Sequence, residues 1–268
     1  MSFNDNVIWI TGASSGIGEA LTYALHERGA KLILSSRRKE VLEEVKAKCI
    51  GDKSDIHILP LDLAESQSMP EKAQQALDRY GHIDYLFNNG GISQRSEVID
   101  TNMEVVRRVM EINFFGSVAL TKAVLPSMIE RQSGHIVITS SVMGKFGTRL
   151  RSSYAASKHA LHGYFDCLRQ EVYDDDIDVS LVCPGYIKTD VTKNALEGDG
   201  SKHEKMGKGQ QKGMLPQDFV AKLLPKIAHK KEEIYIGGTE IWGVYLKRFV
   251  PKLFNKILRN SEVTWVRN

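Results

Sequence analysis

Seven short apolar runs, separated by longer stretches of helical period, constrain this chain more than any other feature. The runs are VIWIT (7–11), KLILSS (31–36), DIHILPLD (55–62), IDYLFNN (83–89), GHIVITSS (134–141), DVSLVCPG (178–185) and EEIYIGG (232–238). Most are rich in Val, Ile and Leu and do not alternate with polar residues. That is the pattern of strands buried on both faces of a parallel sheet. Amphipathic segments of helix length lie between them, at 17–28, 38–48, 66–80, 102–131 and 154–173. Alternation this regular predicts an α/β fold, a doubly wound parallel sheet with helices on both faces. The runs follow one another without a linker, so residues 1–268 are expected to form a single domain without internal repeats.

Composition narrows the function. A net charge of +3 without a basic stripe and interleaved aromatics gives no reason to expect nucleic-acid binding. Three cysteines, Cys49, Cys167 and Cys183, show no metal-type spacing and read as reduced, mostly buried thiols. Eight histidines form no HxxxH or Cys/His cluster, so no metal site is expected. The first residues run directly into a strand, which predicts no signal peptide. No run approaches 18 apolar residues, which predicts no transmembrane helix. The expected location is cytoplasmic.

Two segments break the alternation. Residues 190–216 hold five glycines between 198 and 213, many lysines and no apolar period. They follow a strand's carboxyl end, where ligands bind in such sheets, and read as a substrate lid. Residues 241–260 carry five basic residues and no acidic ones, with Trp242, Leu246, Phe249, Val250, Leu253 and Ile257 at helical spacing. Pro251 is expected to kink this helical extension or to start a second helix. Such a helix can cap a pocket, pack on a partner subunit or make peripheral contact with an anionic membrane.

VIWITGASSGIGEAL joins a strand, a glycine turn and a helix start. Gly12, Gly16 and Gly18 allow a sharp turn and close approach of backbone to ligand. The helix start offers free N–H groups and a positive dipole end to a diphosphate, with Ser14, Ser15 and Ile17 completing the turn. The same residues satisfy G-x-S-x-G, the nucleophile elbow of α/β-hydrolases, with Ser14 as nucleophile. Only eleven residues precede Gly12, whereas that elbow follows several strands, so the hydrolase reading is the weaker one. Twenty residues after Gly16, where NAD-binding folds place a carboxylate, the chain has Ser36 followed by Arg37 and Arg38. A hydroxyl and guanidinium groups there favour the 2′-phosphate of NADP.

SSYAASKHALHGY (152–164) sets Tyr154 and Lys158 four residues apart, on one helix face. Alone, the pair reads as a solvated helix surface or as a core aromatic with a wet hydroxyl.

Taken together these motifs resemble the short-chain dehydrogenase/reductase family over about residues 5–240. TGASSGIG resembles that family's TGxxxGxG turn. Asp62 in LDLA, with Leu63 beside it, resembles its adenine-binding position. NNGG (88–91), with Asn89, Gly90 and Gly91, resembles NNAG, with Gly90 in place of Ala. Asn113, Ser141, Tyr154 and Lys158 match its Asn-Ser-Tyr-Lys tetrad, and PGYIKT (184–189), with Pro184, Gly185, Ile187 and Thr189, resembles its nicotinamide-contacting motif. One departure concerns the cofactor: many NADP-preferring members carry Lys or Arg where this chain has Ser15. NNGGISQRS and the basic tail are similar to a branch acting on steroids, retinoids and other carbonyls. Members of that branch often carry an N-terminal membrane anchor, and none is expected here.

The resemblance implies a Rossmann fold and an NADP(H)-dependent oxidoreductase acting on a carbonyl or secondary alcohol, with Tyr154 as general acid/base. Lys158 would lower the phenol's pKa and reach the ribose, Ser141 would orient the substrate oxygen, and Asn113 would help hold a water connecting Lys158 to solvent. Met143 and Tyr186, with Val142, Phe146 and Gly91–Arg95, would shape the substrate pocket. Ala160 and Gly163 would admit a second subunit, giving a homo-oligomer (dimer or tetramer). A non-catalytic NADP(H)-binding sensor is the alternative, and the intact tetrad weighs against it.

Overall fold

A computed structural model describes residues 3–205 and 207–260. The strands are β1 (Val7–Thr11), β2 (Lys31–Ser35), β3 (Ile56–Ile58), β4 (Tyr85–Asn88), β5 (Gly134–Thr139), β6 (Ile177–Pro184) and β7 (Glu233–Ile236). They pair in parallel throughout, in the order β3-β2-β1-β4-β5-β6-β7. The third apolar run yields only a three-residue edge strand. Pro60 ends it, having no N–H for the ladder, although Leu59 and Leu61 still donate to Leu34 and Ser36.

The helices are α1 (Gly16–His26), α2 (Lys39–Lys48), α3 (Met69–Tyr80), α4 (Met103–Met110), α5 (Gly116–Arg131), α6 (Ser152–Glu171), α7 (Lys208–Gln211), α8 (Pro216–Ala228), α9 (Trp242–Phe249) and α10 (Pro251–Asn260). A π turn, Glu111–Phe115, joins α4 to α5, so the expected helix over 102–131 is continuous but bulged at Asn113. Such bulges recur at functional sites. By length and composition alone this helix is long and apolar enough to cross a membrane, a test that buried core helices also pass. Its Leu120, Val124 and Met128 are buried against the sheet, which accounts for its apolar character.

Strand periodicity divides the core. Ile8 and Ile10 of β1 face Leu21 and Leu25 of α1 and Phe219 of α8. Val7 and Trp9 face the opposite layer, with Leu120 of α5 and Phe165 of α6. Strand order reverses beside β1, whose neighbours are β2 and β4, so the connections on either side leave a crevice at the strands' carboxyl ends. Cys49 and Cys183 are buried, as expected, but Cys167 is exposed.

Candidate active site

The floor of the crevice is the turn between β1 and α1. Gly12 (φ 65°) and Gly16 (φ 58°) adopt the left-handed conformation that side chains disfavour. A Cβ on Gly12 would lie 2.8 Å from Gly90 Cα, and one on Gly16 would lie 2.9 Å from Thr189 Cγ2. The turn is therefore wedged between two loops, and its glycines are sterically required. The Ser15 side chain makes no capping bond, so the first N–H groups of α1 are left for a ligand. Gly18 is buried under the turn, where a Cβ would strike the Gly12 carbonyl, and it does not itself line the cleft. Thr11, which sequence reasoning passed over, ties the floor to its wall. Its hydroxyl accepts from Asn89 N and Gly90 N, each at 3.0 Å.

The cleft has a volume of about 1700 Å³. At one end it is lined by Ser14, Ser15, Gly16, Ile17, Ser36, Arg37, Arg38, Asp62 and Leu63. Arg37 and Arg38 are exposed, and among the described residues neither has a carboxylate oxygen within 4.0 Å. Asp62 folds back to accept from Ala64 N at 3.0 Å, and Arg108 approaches it at 3.8 Å. The Gly90 position also has a steric reason: a Cβ there would sit 2.6 Å from Leu63 Cδ1.

Midway along the cleft β5, the turn after it and α6 bring Ser141, Tyr154 and Lys158 together. Lys158 Nζ donates to Thr139 O at 2.8 Å and lies 5.7 Å from the centre of the Tyr154 ring. Burial pulls the Lys158 ammonium down to about 8. Burial also raises the Tyr154 phenol, opposed by the Arg151 guanidinium and by a hydrogen bond with Ser141. A charge that was not foreseen, that of Arg151, thus also acts on the phenol. Asn113 does not itself line the cleft. Its Oδ1 accepts from Ile92 N at 2.8 Å, while its Nδ2 donates to Ile92 O and Ser157 Oγ, both at 2.9 Å. The side chain clamps the wall loop to α6.

The other end of the cleft is apolar. Val142, Met143 and Phe146 meet Phe254 of α10, whose ring sits 5.0 Å from that of Phe146, edge to face. Pro251 starts a second helix, and α9 and α10 together cap the pocket with Trp242, Leu246 and Leu258. The first part of the expected lid is a pinned wall. Leu196 N donates to Ser93 O at 2.9 Å and Arg95 N donates to Leu196 O at 2.7 Å. Ala195 and Thr192 are fully buried. Pro184, Gly185, Tyr186, Ile187 and Thr189 all line the cleft. Glu240 holds their loop, accepting from Tyr186 N at 2.8 Å and Gly238 N at 2.9 Å. Arg151 and Glu240 were not foreseen: Glu240 reaches the site only through packing between remote segments, and the burial of Arg151 is set by the same kind of packing.

Left-handed glycines, open helix-start amides and a long cleft lined by Ser141, Tyr154 and Lys158 fit a dinucleotide lying across the sheet's switch point. They define a nucleotide-dependent oxidoreductase site. Residues 6–200 match the model of the short chain dehydrogenase family, and the chain belongs to that family. Structures of the same fold include a short chain dehydrogenase/reductase from Burkholderia phymatum in complex with NAD (TM-score 0.80, 21% identity) and one from Burkholderia cenocepacia in complex with NADP (TM-score 0.80, 24% identity). The chain is 44% identical to dehydrogenase/reductase SDR family protein 7-like of Drosophila melanogaster, over 96% of this chain and 80% of the fly protein. Identity to dehydrogenase/reductase SDR family member 7B of Danio rerio is 40%, over 96% and 85%. A short-chain dehydrogenase structure from Streptomyces avermitilis superposes with a TM-score of 0.83 at 29% identity, covering 98% of this chain and all of that one.

Proposed function

We propose that this oxidoreductase uses NADP(H) to interconvert a hydrophobic carbonyl compound and its secondary alcohol. The observation that carries this reading is the convergence of Ser141, Tyr154 and Lys158 on one wall of the cleft, between the glycine turn and the apolar end. Bound NADPH supplies the hydride. Tyr154 donates a proton to the substrate oxygen as negative charge develops there. Burial keeps the phenol protonated, the form that a reduction needs. Ser141, whose hydroxyl accepts from Met143 N at 3.1 Å, holds the substrate oxygen near the phenol. Lys158, anchored on Thr139 O, presents a positive charge that favours the phenolate left after donation.

Exposed, unpaired Arg37 and Arg38 support NADP(H) over NAD(H), because a guanidinium matches a phosphate geometrically. The apolar end, with Met143, Phe146 and Phe254, supports a hydrophobic substrate. Gly163, with open space beside it, and half-exposed Phe115 support a homo-oligomer, which light scattering would measure. Exposed Trp242, Phe249 and Leu253 beside Lys247, Arg248 and Lys252 support peripheral contact with anionic membranes, which vesicle flotation would measure. The test of the main reading is a carbonyl screen with NADPH and NADH, followed by Tyr154→Phe. The expected result is turnover that the variant loses while still binding NADPH. Full turnover in the variant would end the assignment of Tyr154.

A further inference from the structure

Arg151 is only 7% exposed, yet among the described residues no carboxylate oxygen lies within 4.0 Å of it. Among the described residues the one hydrogen bond of its guanidinium runs from Nη1 to the neutral Ser93 hydroxyl at 3.2 Å. Burying a guanidinium without a counter-ion is strongly unfavourable. A second cation makes matters worse. Arg95 is partly buried, its Nε is buried without a hydrogen-bond partner, and burial followed by the Arg151 charge pulls it down to about 10. The Tyr186 phenol and Glu197 act on Arg95 in the opposite direction, but Glu197 is already bonded to His203. Arg151 also precedes the first residue of the 20-residue helix α6, whose N-terminal dipole adds positive potential.

This charge sits at the reaction centre. Arg151 lines the cleft, and its Cζ lies 6.0 Å from the centre of the Tyr154 ring. Nearby lining residues, Met143, Phe146, Leu246, Phe254 and Leu258, are apolar. The geometry points to an anion subsite at Arg151, so that the substrate is an amphiphile: a ketone on an apolar chain, with a carboxylate or phosphate a few bonds from its carbonyl. Arg95, which does not line the cleft, is a positioning residue that reinforces the field from behind. The inference rests on the reductase reading for its placement of the carbonyl at Tyr154.

Arg151 has one competing role, tuning the phenol, and the experiment separates the two. The NADPH-loaded full chain is assayed with 4-oxodecanoate and its methyl ester, and with 4-oxodecyl phosphate and 4-oxodecan-1-ol. The wild type should prefer an anion over its neutral match by about 10- to 100-fold in kcat/KM, the size of a charge-assisted hydrogen bond. The pair with the larger ratio identifies carboxylate or phosphate. Arg151→Gln should bring the ratio close to one, and Arg151→Lys should keep part of it. Equal use of both partners by the wild type overturns the subsite without needing any variant. So does an unchanged ratio in Arg151→Gln with a shifted pH profile, which would assign Arg151 to phenol tuning. If no ketone is reduced, calorimetry with dodecanoate and dodecyl phosphate decides the matter. Binding of either to wild type but not to Arg151→Gln retains the subsite and removes the reductase reading, whereas binding of neither removes the subsite.

Discussion

At one end of the cleft Arg37 and Arg38 stand exposed on the loop after β2; at the other, Arg151 is enclosed behind Tyr154. The first two arginines are neighbours in sequence and follow the glycine turn at a fixed distance. Arg151 meets Ser93 only because α6 docks against a loop 58 residues earlier in the chain. Solvent weakens a charge at the exposed end, while burial magnifies one at the enclosed end. The cofactor end can therefore be built from contiguous backbone and tolerant side chains. The substrate end depends on packing between remote segments.

The largest effect is expected at the enclosed end. Tyr154→Phe should lower kcat by at least about 100-fold, the range of positioned acid catalysis, with NADPH binding retained in fluorescence titration. Phe254→Ala should cost up to about 3 kcal/mol of stability by opening a cavity at the cap. It should raise KM for apolar carbonyls and leave the NADPH Kd unchanged; a weakened cofactor would show that the two ends are coupled. At the floor, Gly12→Ala should cost about 1–2 kcal/mol, because its left-handed backbone disfavours a side chain. The rise in Tm on adding NADPH should vanish with it.

Smaller effects belong to exposed or half-exposed charges. NADPH should raise Tm more than equal NADH, and Arg37→Ala should remove a difference of about 1 kcal/mol. Equal shifts in the wild type would sink the NADP(H) preference. Behind Lys158, Ser140 bonds the Lys158 carbonyl and His162, and His162 faces Glu233, which also pairs with Lys145. Hydrogen bonding by His162 holds Glu233 well below the carboxylate range, against desolvation, with Lys145 and Tyr235 contributing. A depressed carboxylate contributes stability above its unfolded pKa of about 4.5 and loses it as pH falls through the folded value. The Tm gap between wild type and Glu233→Gln should therefore be open at pH 7 and narrow below pH about 4.5. A gap that widened in acid would reverse the assignment.

Much of the cofactor end was legible because its signals are local. Left-handed turns at Gly12 and Gly16 need glycine, and the i,i+4 spacing of Tyr154 and Lys158 guarantees a shared helix face whatever packs around it. Strand–helix alternation likewise dictated a doubly wound sheet, since buried parallel strands require helices on both faces. Other features were set only when remote segments met. Asn113 clamps Ile92 because a π turn aims it there. Residues 192–204 became a wall because Leu196 pairs with the 93–95 segment. Gly18 lies under the turn because α1 crosses Gly12 closely. Arg151 looks in sequence like any loop arginine before a helix, for exposure and counter-ions are properties of the packed chain. The sequence by itself determined the turn, the sheet and the acid/base pair, because backbone conformation and helical period act over a few residues. Tertiary structure alone decided that the arginine beside the phenol is buried without a carboxylate partner among the described residues, because burial and the approach of counter-ions depend on distance through space, and neither is written along the chain.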